Sequence, residues 1–361
     1  MTDLGLYLHI PFCKRKCAYC DFYSAVFTEK LLGEYVGALE KSIKEWGGKT
    51  NRPISSIYLG GGTPSLLNRK LIPLLSSVRE SFKVDENAEI TLEINPTENI
   101  AEVLENAKLS GVNRLSLGAQ SGNDRILKIL GRTHTAQDTE NAVKVAKELG
   151  FSNISLDLML GLPDSDLASL KQDLDFLLKL NPSHISCYIL KIEPATKFYK
   201  AESGLNLPSE DGICDQYLFM CDYLRKHGFS HYEISNFCKD GKKSRHNLKY
   251  WQCREYIGIG PSAHSFLDGK RFYYPRDLKG FIKGNSPIFD GFGGDKTEQI
   301  MLGLRLDSGI DFDILPPDAQ KKCAEFAKRG LGILKDNRFS LTDKGMLLSN
   351  AIITEILEDF E

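Results

Sequence analysis

Short apolar runs alternate with longer amphipathic stretches through the first half of the chain, and this alternation constrains the fold more than any other feature. The runs are Leu4–Ile10, Ser56–Gly60, Glu89–Ile94, Asn113–Leu117, Asn153–Leu160 and His184–Leu190. Between them lie Thr28–Trp46, Arg69–Ser81, Thr97–Ser110, Ala136–Leu149 and Asp166–Leu180, patterned as helices. Strands alternating with helices build βαβ units and a parallel sheet. Parallel strands are covered on both faces, which accounts for runs that read as continuously apolar. Six such units suit a partial (β/α)6, TIM-like barrel better than a closed eight-stranded one, although a doubly wound sheet shares the local pattern. Past a helical stretch at Asp211–Lys226 the alternation fades. Gly, Pro and aromatic residues crowd Tyr256–Phe292. Thr297–Phe360 reads as mainly helical, with a strand near Phe339, a capped turn and a final helix Met346–Leu357, in the manner of a winged helix. The expected architecture is α/β: a partial barrel over residues 1–235 and a smaller, mainly helical domain over 236–361.

Composition excludes several function classes. The 361 residues carry 46 Lys and Arg against 48 Asp and Glu, a net charge of −2. A broad grip on nucleic acid needs many neutralised phosphates, so no such partner is expected. No apolar run reaches the roughly 18–20 residues of a membrane span. The N-terminus lacks the charged region and cleavage site of a secretion signal, which points to the cytoplasm. Nine cysteines, an odd number in a chain without such a signal, argue against a disulfide scaffold. Six of them, Cys187, Cys214, Cys221, Cys238, Cys253 and Cys323, are scattered and read as small buried hydrophobes.

The other three, Cys13, Cys17 and Cys20, follow the first strand with CxxxCxxC spacing. Three thiolates on one short loop can wrap one face of an iron–sulfur cube. A [4Fe–4S] cluster ordinarily takes four cysteines, so three leave one iron open to a small molecule. Structural zinc is the competing reading; it wants four ligands, and the nearest fourth is His9, inside the strand. Lys14, Arg15 and Lys16 lie between the first two cysteines and favour thiolate over thiol.

Other strand ends carry polar or glycine-rich features, where a barrel places its site. Gly60-Gly61-Gly62-Thr63-Pro64 lets backbone approach a ligand, or is a plain tight turn. Glu93 could accept ribose hydroxyls, or cap a helix. Gln120 ends the fourth strand, and Arg132, twelve residues on, could hold a carboxylate or cap the intervening helix. Asp157 sits inside an apolar run, which is costly unless it is partnered. Lys191 closes the sixth strand on the same logic.

CxxxCxxC with an aromatic residue before its last cysteine resembles the signature of the radical S-adenosylmethionine (SAM) superfamily. From Tyr7 to about residue 350 the chain resembles, within it, the group of the oxygen-independent coproporphyrinogen III dehydrogenase HemN and the heme chaperone HemW. The resemblance implies cluster ligands Cys13, Cys17 and Cys20. It implies SAM contacts at Tyr7, Tyr19, Gly61, Gly62, Thr63, Glu93, Gln120, Arg132, Asp157 and Lys191. Three features resemble the HemW branch. Phe22 stands where the dehydrogenase has a further cysteine, only six residues precede Tyr7, and His246-Asn247-Leu248-Lys249-Tyr250-Trp251 matches an HNxxYW motif. Neutral imidazole ligates heme iron and aromatic rings cover a porphyrin face, so the resemblance makes His246 the candidate heme contact. The residues alone favour a hydrogen-bonded histidine in an aromatic core. The implied function is a heme chaperone that carries a cluster and SAM. It would pass heme to acceptor hemoproteins such as membrane respiratory enzymes, and a homodimer is compatible. The alternative is oxidative decarboxylation of coproporphyrinogen III.

Overall fold

Strict two-residue alternation, rather than continuous apolarity, organises the barrel strands in the computed structural model, which describes residues 3–97, 99–201 and 204–358. In β1 (Leu4–Ile10), Leu4, Leu6, Leu8 and Ile10 are fully buried against the outer helices, while Tyr7 and His9 turn to the interior and touch each other. The short strands β2 (Phe12–Cys13) and β3 (Ala25–Val26) pair in parallel and frame the cysteine loop. Then come β4 (Ile54–Gly61), β5 (Val84–Ile94), β6 (Arg114–Gln120), β7 (Ile154–Leu160) and β8 (His184–Ile189). Together with β1 they form six adjacent parallel strands in chain order.

Along these strands Ile57, Leu59, Leu92, Leu115, Leu117, Leu156, Leu158 and Ile185 join the hydrophobic layer under the helices. The intervening residues, Ser56, Tyr58, Thr91, Glu93, Ser116, Ser155, Asp157, His184 and Ser186, form the lining. Hydrogen bonds between them mark a polar interior: Ser116 to Asp157 at 3.2 Å, Tyr58 to Glu93 at 2.9 Å, Ser155 with His184 at 2.7 Å. Such an interior differs from an apolar barrel core in that these polar groups are partnered with one another.

The covering helices are α1 (Glu29–Gly47), α2 (Leu71–Ser81), α3 (Ile100–Leu109), α4 (Asp124–Ile129), α5 (Ala136–Glu148) and α6 (Leu167–Lys179). Thr135 with Asp138 and Asp166 with Ser169 form capping boxes that start α5 and α6 just after their strands' loops. The short α7 (Lys197–Ala201) and α8 (Glu210–Lys226) complete this layer.

Residues past 229 extend the same sheet at both edges. The hairpin β9 (Ser230–Glu233) and β10 (Asn236–Cys238) adds antiparallel to β8. A boundary at 235/236 falls inside this hairpin. After α9 (Arg245–Trp251), β11 (Tyr256–Ile259) pairs in parallel with the far side of β1. β12 (His264–Leu267), β13 (Lys270–Tyr273) and, after α10 (Leu278–Ile282), β14 (Ile288–Phe292) continue antiparallel. The Gly-, Pro- and aromatic-rich segment is therefore mostly sheet, with Gly260, Gly269 and Gly284 supplying left-handed backbone between its elements. The C-terminal unit comprises α11 (Lys296–Gly303), α12 (Pro317–Lys328), α13 (Asp343–Leu347) and α14 (Ser349–Leu357). They enclose a small antiparallel sheet of β15 (Ile310–Asp311), β16 (Gly332–Lys335) and β17 (Arg338–Leu341).

Candidate functional site

The cysteine loop is held at three points. Its start is the β2–β3 pairing, Ala18 N–H donates to Leu130 O at 2.9 Å, and Phe198 N–H donates to Ala18 O at 3.0 Å. Cys13, Cys17 and Cys20 are free and half-buried. Two donors face them: Thr63 Oγ1 lies 3.6 Å from Cys13 Sγ, and an Arg132 Nη lies 3.7 Å from Cys17 Sγ. Burial pushes the Cys20 thiol up, and the neighbouring cysteine sulfurs add to this, whereas Lys16 pulls it down. The loop cations alone therefore do not set the state of the Cys20 thiol.

Arg132 is the hub of the site. Its other Nη donates to Asn95 Oδ1 at 2.7 Å and to Gly118 O at 2.8 Å. Its Nε donates to His134 Nδ1 at 3.3 Å. His134 Nε2 in turn donates to Ala119 O at 3.2 Å, and burial lowers this histidine to about 4, so its Nδ1 stays free to accept. Asn95 Nδ2 donates to Thr63 Oγ1 at 3.0 Å, closing a ring of contacts from Arg132 back to Cys13. A side chain at Gly118 would meet Gln120 Nε2 at 2.9 Å and Arg132 at 3.0 Å, so glycine is what lets both approach. Gln120 itself is buried, with left-handed backbone (φ 67°).

The Gly61-Gly62 turn is equally tight. Gly61 has φ 113°, and a Cβ there would stand 2.6 Å from the His9 ring; one on Gly62 would stand 2.6 Å from Phe12 O. Gly61 N–H donates to Glu93 Oε2 at 3.1 Å and Tyr58 donates to Oε1. Burial still raises Glu93 to about 7, with Asp157 adding to the rise. Burial also raises Asp157 to about 6, against hydroxyls of Ser116 and Ser186 and the charge of Arg114. Both acids retain partial solvent access at this depth, as do Tyr7 and Tyr58. Tyr7 donates to His9 Nδ1 at 3.0 Å while His9 Nε2 donates to Tyr23 O at 3.2 Å. With both nitrogens taken up by hydrogen bonds, His9 offers no fourth metal ligand to the cysteines.

Tyr7, Tyr19, Gly61, Gly62, Thr63, Glu93, Gln120, Arg132 and Asp157 thus converge on one mouth beside the three cysteines. Lys191 does not join them: it is exposed and paired with Glu193 at 2.6 Å. His246 is also elsewhere than its expected heme contact requires. It is fully buried, its Nδ1 bonds Ser56 Oγ at 3.0 Å and its Nε2 bonds Tyr250 OH at 2.8 Å. Its ring lies 5.4 Å from that of Tyr58. A Cβ on Gly5 would strike Lys249 and His246, so α9 presses directly on β1. Tyr58, Asn95 and His134 were not among the expected site residues. The first two were findable as the inward positions two residues from Gly60 and Glu93, on the same face.

Residues 7–177 match the Radical SAM superfamily and residues 297–348 match the HemN C-terminal domain. The heme chaperone HemW of Bacillus subtilis is 36% identical over 97% of this chain and 98% of its own length. The chain belongs to the HemW family. The HemW of Escherichia coli is 40% identical over 79% of this chain and 77% of its own. The structure is similar to coproporphyrinogen III oxidase HemN of Escherichia coli, with TM-score 0.83, 25% identity and coverage of 98% of this chain and 90% of that one.

HemW-family membership within the radical SAM superfamily implies a [4Fe–4S] cluster and SAM, and the residues present fit both. Three free thiols on one loop, faced by a hydroxyl and a guanidinium, suit a cluster with one open iron. The glycine turn, the Arg132 hub and the wet acids Glu93 and Asp157 suit a zwitterionic nucleoside. Among the described residues, no helix is long and apolar enough to cross a membrane.

Proposed function

We propose that this chain binds heme and delivers it to an acceptor hemoprotein, working in the cytoplasm with a cluster and SAM held at the barrel mouth. The observation that carries this reading is near-full-length similarity to proteins named heme chaperone HemW, at 32–40% identity. Phe22 supports it: where the dehydrogenase resemblance called for a further cysteine, this chain presents an exposed phenyl ring.

When bound, the cluster supplies one electron to the SAM sulfonium. Cys13, Cys17 and Cys20 would hold the cluster. Arg132 and the Gly61–Gly62 backbone would orient the methionine end of SAM, and Glu93 would accept from the ribose. Asp157, deeper in the lining, would act on the charge of Glu93. Lys191 would reach SAM only by leaving Glu193.

His246 is fully buried with both nitrogens hydrogen-bonded, so for it to ligate heme iron its bond to Tyr250 or Ser56 must break and the packing around the ring must open. Heme titration of the anaerobically reconstituted chain tests the reading. Stoichiometric binding is expected. Tyr250→Phe, which frees Nε2, should tighten binding if His246 is the ligand, and His246→Ala should weaken it. No heme spectrum, or formation of protoporphyrinogen IX from coproporphyrinogen III with SAM and a reductant, overturns the chaperone reading.

A further inference from the structure

We propose that Cys221, His231 and Asp343 form a binding site for a thiophilic divalent cation, Zn2+ being the ion their donors suit, and that this ion ties the C-terminal unit to the barrel. Cys221 comes from α8, His231 from β9 and Asp343 from the first turn of α13. One donor atom from each lies within 4.8 Å of the other two.

The imidazole is already oriented. His231 Nδ1 lies 3.0 Å from Asp343 Oδ1, and the ring stacks on Phe237 at 4.2 Å and 10° from parallel. Nδ1, on the Asp343 side of the ring, is the nitrogen that would ligate the ion together with Asp343 Oδ1, the ion taking the place of the proton the two share, while Nε2, buried and without a hydrogen-bond partner, takes up that proton.

Cys221 is fully buried, and that burial pushes its thiol up to about 12. On binding, the S–H proton leaves to solvent and the sulfur–metal bond replaces it, with no change of oxidation state. Thiolate plus imidazole plus one carboxylate is a zinc-type set, whereas magnesium and calcium take oxygen donors. The thiolate and carboxylate balance the dication. Arg225 stays on the other Asp343 oxygen at 2.7 Å. The site is independent of heme and of the radical SAM mouth.

The test uses the cluster-loaded chain, passed over a chelating resin and titrated anaerobically with Co2+ and with Zn2+. One equivalent of Co2+ should bind with a near-ultraviolet sulfur-to-cobalt band. Affinity should fall at least tenfold in Cys221→Ser and in His231→Gln, and Zn2+ should raise the Tm of wild type alone. Unchanged iron content in the variants separates this signal from Cys13, Cys17 and Cys20. Wild type that takes up neither ion overturns the proposal and leaves an ion-pair network of His231, Asp343 and Arg225. So does a band that survives Cys221→Ser. Should those variants not fold, Asp343→Asn decides: loss of the Zn2+ shift supports the site, and its persistence overturns it.

Discussion

Glu93→Gln isolates the cost of keeping a carboxyl group inside the barrel. In the folded chain burial raises Glu93 from 4.5 to about 7. Each unit corresponds to about 1.4 kcal/mol, so the full shift is worth about 3 kcal/mol. The sign follows from proton counts. Between pH 4.5 and about 7 the native state holds this proton and the unfolded chain has released it, so stability falls as pH rises through that window. Glutamine cannot ionise and lacks the effect. It keeps an acceptor for Tyr58 but leaves Gly61 N–H unmatched, so the variant should start about 1–2 kcal/mol less stable at low pH. Urea unfolding of cofactor-free wild type and variant, followed by far-ultraviolet circular dichroism, gives both quantities. The gap should close, or reverse, by about 2–3 kcal/mol between about pH 5 and about pH 8. Asp173, also raised by burial to about 6, and Asp343, held at about 2 by His231, titrate in both proteins and cancel, whereas Asp157 is coupled to Glu93, so the measured difference belongs to that pair. Parallel pH profiles with equal m-values would refute the assignment of a buried, proton-holding Glu93.

Three further outcomes are expected. Gly61→Ala places a methyl group against the His9 ring at a left-handed position, so it should cost about 1–3 kcal/mol in thermal unfolding and weaken SAM binding measured by calorimetry. Arg132→Lys cannot serve Asn95, Gly118 and His134 together; SAM affinity should drop by about tenfold or more, and the cluster should bleach faster in air, read at its visible absorbance. Tyr58→Phe removes a bond that lowers Glu93, so the Glu93 carboxyl should titrate above about 7 in difference infrared spectra; an unchanged midpoint counts against that bond.

The polar lining shows where reading the chain as a string stops short. LYLHI, EITLEI and RLSLGAQ each look like apolar runs with an occasional polar guest. In a closed or nearly closed sheet the guests share one face, and strand register sets Thr91 beside Tyr58, Ser116 beside Glu93 and Ser155, and Asp157 beside Ser186. Asn95 gains its role in the same way, by meeting Arg132 from the end of another strand, while His134, two residues after Arg132, is set in place by its bond to Ala119 O.

By itself the sequence determined whatever is encoded within a few residues of backbone: the six strand–helix units, the capped helix starts, the three-thiol loop and the glycine turn, because spacing along a chain dictates local geometry. Tertiary structure decided what depends on which surfaces meet. It buried both nitrogens of His246, turned Lys191 outward to Glu193, joined residues 256–292 to the barrel sheet and brought His231 to Asp343. Burial and partnership are properties of distant segments in contact, and no stretch of the chain carries them alone.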